Sequence, residues 1–134
     1  MPAPVIRSID HFVLTVASIP ATCDFYARAL GFGVERFGSE GGDEGRTALT
    51  FGEQKINLHE AGREFTPRAR VATAGSGDFC LLTETPIDAV VAHLREIGVA
   101  VEEGPVRKTG ATGPLSSVYF RDPDGNLVEV SNRI

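Results

Sequence analysis

Phe120-Arg121-Asp122-Pro123-Asp124-Gly125-Asn126-Leu127-Val128-Glu129-Val130 decides how this chain is read. Apolar runs flank Asp124-Gly125, and glycine accepts the positive φ that a tight two-stranded turn requires, so the stretch predicts a β-hairpin. Side chains alternate along a strand. Val128 and Val130 therefore share one face, while Leu127, Glu129 and Ser131 share the other. A carboxylate set in so apolar a strand needs a partner, most simply a cation.

Upstream of the hairpin the same order of elements occurs twice. Residues 9–16 are β-branched and apolar and read as a strand. Ser18 then caps a helix that carries Ile19, Cys23, Tyr26 and Leu30 at helical spacing and stops at Gly31. Strands are expected at 34–37, 47–51 and 55–60, with the glycine-rich 38–45 as a connection and 52–54 as a turn. The second half begins with a strand at 78–83. A helix follows from Thr85-Pro86 through Leu94 and Ile97 to Gly98, then strands at 101–105, 116–121 and 126–131. Gly31 and Gly98 lie 67 residues apart, as do Val34 and Val101, so the repeat is sustained. The expected fold is α+β, a single domain over 1–134 made of two βαβββ modules at 5–61 and 78–134, joined by a linker at 62–77. Its two sheets are expected to pair into an eight-stranded, half-barrel-like cup with the helices outside.

Composition narrows the function. The chain has 134 residues, 42% of them hydrophobic, enough for one real core. Its 13 Lys and Arg are scattered among 18 Asp and Glu, for a net charge of −5. That argues against a nucleic-acid footprint. No window approaches the roughly 20 apolar residues of a membrane span, and the N-terminus does not read as a signal peptide, so residence in the cytoplasm is expected. Cys23 and Cys80 sit in apolar patterns and read as buried free thiols.

His11 on the first strand, His59 on the fourth, Asp78 on the fifth and Glu129 on the eighth occupy the first and last strand of each module. His11 and Asp78 share the 67-residue offset, and His59 and Glu129 differ by 70. If the two sheets pair about a pseudo-twofold axis, these strands converge on the concave side. Imidazole and carboxylate suit borderline divalent ions, and a set without thiolates disfavours a cysteine-type structural zinc site. His11, His59 and Glu129 are the expected ligands of an open metal site. Asp78 reads as a ligand, a base or a turn residue. Arg107, Lys108, Tyr119 and Arg121 are candidate substrate-binding residues, although Arg121 also reads as a brace for the 122–125 turn.

Ile9-Asp10-His11, Asn57-Leu58-His59-Glu60 and the 119–129 stretch, in this order of elements, resemble the vicinal oxygen chelate superfamily over nearly the whole chain. That group includes glyoxalase I, extradiol dioxygenases and bleomycin-binding proteins. The nearest resemblance is to glyoxalase domain-containing proteins of unassigned substrate. It implies one divalent metal per site (Fe, Ni, Zn or Mn), held by His11, His59 and Glu129, and places Asp78 where most metal-dependent members carry His. It also implies a small-molecule substrate, with glutathione as a possible co-substrate. The long linker lets the modules pair within one chain or between two chains, and a homodimer is expected, with module-swapped sites as one of the two arrangements. The leading expectation is a metal-dependent lyase or isomerase, with Asp78 and Glu129 as its catalytic carboxylates. An Fe(II) ring-cleaving dioxygenase, a non-catalytic drug-binding protein and a degenerate interaction module are the alternatives.

Overall fold

A computed structural model describes residues 2–38 and 45–134. The elements run β1 (His11–Val16), α1 (Ile19–Leu30), β2 (Gly33–Gly38), β3 (Gly45–Phe51), β4 (Gln54–Glu60), β5 (Asp78–Leu82), α2 (Ile87–Glu96), β6 (Glu103–Gly110), β7 (Gly113–Arg121) and β8 (Leu127–Arg133). The βαβββ order thus occurs twice. The glycine-rich connection expected before β3 lies, over 39–44, outside the described residues. The strands form two separate four-stranded sheets within the chain, ordered β1-β4-β3-β2 (sheet A) and β5-β8-β7-β6 (sheet B). Each is mixed: β1 runs parallel to β4 and β5 to β8, and the remaining pairs are antiparallel.

Local chemistry explains most boundaries. Ser18 accepts a hydrogen bond from Ala21 N at 3.2 Å and starts α1, and Gly31 ends it in the left-handed region at φ 68°. α2 starts two residues later than Thr85, and its first N–H, on Ile87, is satisfied from β8 by Asn132 Oδ1 at 2.8 Å. The β6–β7 hairpin is longer than its composition suggests. Arg107, Lys108 and Thr109 are strand residues, since cross-strand pairing from Val106 to Gly110 outweighs a glycine-rich composition.

The decisive hairpin differs in kind from a two-residue turn. Five residues, 122–126, separate the paired Arg121 and Leu127. Asp122 organises them: its carboxylate accepts from Asp124 N (3.0 Å), Asn126 N (2.9 Å) and Asn126 Nδ2 (2.8 Å). Gly125 takes φ 89° within this carboxylate-centred loop. Asp122 also accepts from Tyr26 Oη of α1 at 2.8 Å, a buried link between the modules.

One core serves both modules. Leu14, Leu58, Phe120 and Val128 from the two sheets join Tyr26 and Leu94 of the helices in a single buried cluster. Phe25 of α1 meets Phe120 of β7 at 6.2 Å between ring centroids, and His93 Nε2 of α2 meets the Arg28 carbonyl of α1 at 2.8 Å. Phe12 and Phe79 close the core where β1 and β5 approach, at 5.1 Å. Cys23 is half-buried and Cys80 exposed, so the expectation of two buried thiols fails for Cys80, which lies on the face of β5 opposite Phe79 and Leu81. No helix among the described residues is long and apolar enough to cross a membrane.

The Tyr26–Asp122 hydrogen bond joins two buried side chains, Tyr26 at 0% and Asp122 at 5% exposure. Tyr26→Phe should lower the unfolding free energy by about 1–3 kcal/mol with little change in denaturant slope. Urea titration followed by circular dichroism measures this.

Candidate functional site

Alternation fixes which side chains stand outside the core. On sheet A, Leu14, Ile56 and Leu58 point inward, so His11, Asn57 and His59 lie on the opposite face. On sheet B, Val128 and Val130 point inward, so Asp78, Cys80, Glu129 and Ser131 lie on the opposite face. Each polar face thus lies on the side of its sheet opposite the shared core. Among the described residues, no three His, Cys, Asp or Glu side chains come close enough to hold one ion. Within one chain the described candidates thus form no such cluster, although His11 and Asp78 line one common cavity.

Register sorts the candidates further. His11 is opposite Lys55, and His59 is opposite Thr15, four residues along β1. At about 3.3 Å of rise per residue the two histidines are roughly 13 Å apart along the strand. Ligand distances near 2.1 Å put one ion out of reach of both. Asn57, opposite Val13, is only two positions from His11. In sheet B, Asp78 is opposite Leu127, and Glu129 is likewise two positions on. Asn57 is thus the repeat-equivalent of Glu129, and His59 that of Ser131. Asn57 escapes sequence reading because its offset from Glu129 is 72 residues against 67 for His11 and Asp78, so the second module is five residues longer over this span, whereas pairing His59 with Glu129 allows for only three.

Asn57 has a second distinction. Its Oδ1 is buried without a hydrogen-bond partner among the described residues, an acceptor left open beside His11. His11 Nδ1 lies 2.8 Å from Asp10 Oδ1, which fixes the ring and leaves Nε2 outward, as in many metal-bound histidines. His59 sits differently. It is 6% exposed, edge-on to Phe65 of the linker at 5.4 Å, and burial pushes its pKa down, with Arg46 adding to the effect.

Glu129 is held in place by hydroxyls. Ser117 Oγ donates to Oε2 at 2.7 Å and is itself 2.6 Å from Ser131 Oγ, which also reaches Oε2 at 3.4 Å. Tyr119, directly opposite Glu129 in register, has its phenol pushed up to about 12, by burial first and by the Glu129 charge next. It remains a neutral donor throughout the physiological range. Cys80 Sγ lies 3.3 Å from Ser131 Oγ on the same face.

The substrate-binding candidates separate in the same way. Lys108 shares this face: its Nζ lies 5.5 Å from the centre of the Tyr119 ring and 3.7 Å from Glu103. Arg107, one residue earlier, is exposed on the other side of β6. Arg121 stands in the row of Asp78 and Leu127 at the rim. Its guanidinium grips Glu102 at 2.9 and 3.0 Å and donates to the Gly125 carbonyl at 3.2 Å, bracing the turn.

Paired βαβββ modules presenting open faces of histidine, amide and carboxylate define a class of small-molecule proteins that assemble their sites from two modules. The chain belongs to the Glyoxalase/Bleomycin resistance protein/Dioxygenase superfamily, whose family model matches residues 8–130. It is 48% identical over 130 residues to Virulence protein STM3117 of Salmonella typhimurium, covering 97% of this chain and 87% of that one. The crystal structure of STM3117 superposes with a TM-score of 0.92, covering 98% of this chain and 100% of that one. It is 50% identical over 127 residues to the glyoxalase domain-containing protein RDO1 of Mycosarcoma maydis, covering 95% of this chain and 69% of the relative. Lactoylglutathione lyase from Agrobacterium tumefaciens shares the fold at a TM-score of 0.66 and 24% identity, over 93% of this chain and 92% of that one.

The Glu129 charge is one cause of the high Tyr119 pKa, so neutralising it must lower that pKa. Glu129→Gln should move the Tyr119 titration from about 12 toward the ordinary tyrosine value. Ultraviolet difference spectra of the phenolate check this, with Tyr26→Phe as background to remove the other tyrosine.

Proposed function

We propose that this protein is a metal-dependent lyase or isomerase of glyoxalase type, acting on a small oxygenated metabolite in a site shared by two chains. The observation that carries the reading is the division of one donor set between outward faces. His11 and the unpartnered Asn57 stand on sheet A, and the hydroxyl-braced Glu129 stands on sheet B. Face A of one chain set against face B of a second reunites them.

Exposed apolar residues on these edges support pairing of chains. Val13 on β1 is 45% exposed and Leu82 on β5 is 52% exposed, both on the polar-face side, and Ile6 in the N-terminal segment is 80% exposed. Charge supports it too. Face A carries Arg46 and Lys55 against Glu35, whereas face B carries Asp78, Glu103 and Glu129 against Lys108 and Arg121.

The donors suit a divalent ion of the Mn, Fe, Ni or Zn group: one imidazole nitrogen freed by its contact with Asp10, one amide oxygen and one carboxylate oxygen. His11 and Asn57 of one chain and Glu129 of the other would hold it. His59 stands too far along the strand, and the neighbouring Arg46 and Arg68 guanidiniums would repel a dication. When bound, the ion supplies positive charge that favours a substrate whose adjacent oxygens become negative during reaction. The protein residues do the rest. Asp78, exposed on face B two positions from Glu129, takes the substrate proton and returns it. Tyr119, neutral up to high pH, donates a hydrogen bond and orients the substrate. The hydroxyls of Ser117 and Ser131 keep the Glu129 carboxylate from turning away.

Mixing variants tests the shared site. Neither His11→Ala nor Glu129→Ala homodimers should retain metal by plasma mass spectrometry. After subunit exchange, each mixed dimer combines one intact face A with one intact face B, so about one metal per mixed dimer should return. Absence of rescue would place all ligands within a single chain and overturn the shared site. Absence of metal in the unaltered protein after reconstitution would overturn the metal-dependent reading.

A further inference from the structure

At the end of face A away from His11, the side chains form a group that metal ligation does not use. Arg46, one step beyond the Thr47–Leu58 pair, stands beside His59 on adjacent strands. Phe65, reaching in from the linker, covers both: the Arg46 guanidinium lies 4.2 Å from the ring centre, and the His59 ring meets it edge-on. Lys55 starts four positions back along β4, opposite His11, but its long side chain carries the ammonium to 4.0 Å from the centre of the Phe37 ring, and Phe37 is opposite Arg46 in register. The two cations are thus each held by an aromatic face rather than by a carboxylate.

Among the described residues their polar demand is not met. Arg28, Arg63, Lys108 and Arg121 all sit within 4.0 Å of a carboxylate, whereas among the described residues Arg46 and Lys55 have neither a carboxylate partner nor a hydrogen-bond acceptor. Arg46 is half-buried, which makes unspent guanidinium donors costly in the absence of a ligand. Arg68 adds positive potential at His59, and Glu64 subtracts some. The Glu64 carboxylate, however, is engaged by the Gly62 N–H at 3.0 Å. A planar fork fixed against a phenyl ring, a second cation on the Phe37 ring of the neighbouring strand and an imidazole beside the fork match a planar or tetrahedral oxyanion.

We propose that Arg46, with Lys55 and His59, binds an anionic group of the substrate, a carboxylate or a phosphate. This assignment rests on the reading of face A as part of a substrate site. It adds that the substrate is an anion, anchored at the end of the cup remote from His11. Phe65 is a positioning residue, because it restrains the guanidinium without touching the ligand.

Two simple anions serve as probes: acetate and inorganic phosphate, titrated separately into the full-length protein and followed by side-chain NMR. Saturable shifts at Arg46 Nε–H and in the Phe65 ring are expected with one of them, and the tighter binder identifies the substrate group. Arg46→Gln should weaken that anion by roughly tenfold or more, and Arg46→Lys by less, because it keeps charge but loses the fork. Phe65→Leu leaves every charge in place and should weaken binding severalfold, which separates positioning from misfolding. Metal content should be the same in Arg46→Gln as in the unaltered protein. An absence of saturable shifts, or equal affinity in Arg46→Gln, overturns the proposal. Anion binding by a protein that takes up no metal would sustain it while removing the metal-dependent reading.

Discussion

The buried Asp122 carboxylate is the constraint on which the arrangement of this molecule depends. It receives three donors from its own turn and a fourth from Tyr26 of α1, so the turn before β8 and the helix of the other module are fixed by the same group. A buried carboxylate surrounded by donors needs no counter-ion, but it tolerates little displacement of any donor. Fixing α1 against sheet B aligns the inner faces of both sheets on one core. The same turn sets where Glu129 stands, because the register of β8 starts at the Arg121–Leu127 pair that the turn closes.

Much of this was legible in the sequence because it is written in local signals. Ser18 and Gly31 bound α1 through capping geometry, and the two βαβββ runs appear as apolar runs interrupted by glycine. Alternation placed Glu129 on the face opposite Val128 and Val130. What failed to show was non-local. His59 stands out in sequence as a metal-ligating residue type, while Asn57 reads as an ordinary strand polar residue. Only pairing with β1 reveals that Asn57 lies near His11 and that His59 does not. The β6 strand was underestimated for a related reason. Glycine and threonine have weak or mixed preferences, and cross-strand contact supplied the order that propensity did not.

The pseudo-repeat keeps the order and pairing of its elements and diverges in chemistry. Equivalent positions carry His11 and Asp78, Asn57 and Glu129, His59 and Ser131. At these positions module one keeps imidazoles and an amide, and module two keeps carboxylates with a hydroxyl that restrains one of them. If identical faces paired, two copies of face B would bring carboxylate against carboxylate, which costs free energy unless protons are taken up. Pairing unlike faces instead gives each carboxylate a neutral or cationic counterpart. In the proposed pairing of two chains, a difference in chemistry between repeats would thus act as a specificity device, selecting one mode of association over another.

The same division explains why the linker matters beyond joining modules. Phe65 belongs to neither repeat and has no equivalent in the second half, yet its ring covers both His59 and Arg46. By removing water from one side of the guanidinium and of the imidazole, it lowers the local dielectric where an anion would be held. It also limits the rotamers that Arg46 can adopt, so less conformational entropy is lost on binding. One face of the protein thereby gains a polar group at each end, an amide and histidine near Asp10 and a caged guanidinium near the linker. Between them, Ala48, opposite Asn57 in register, leaves the floor low. That spacing is what a ligand needs when one end must be gripped by charge and the other must present adjacent oxygens to the donors across the cup.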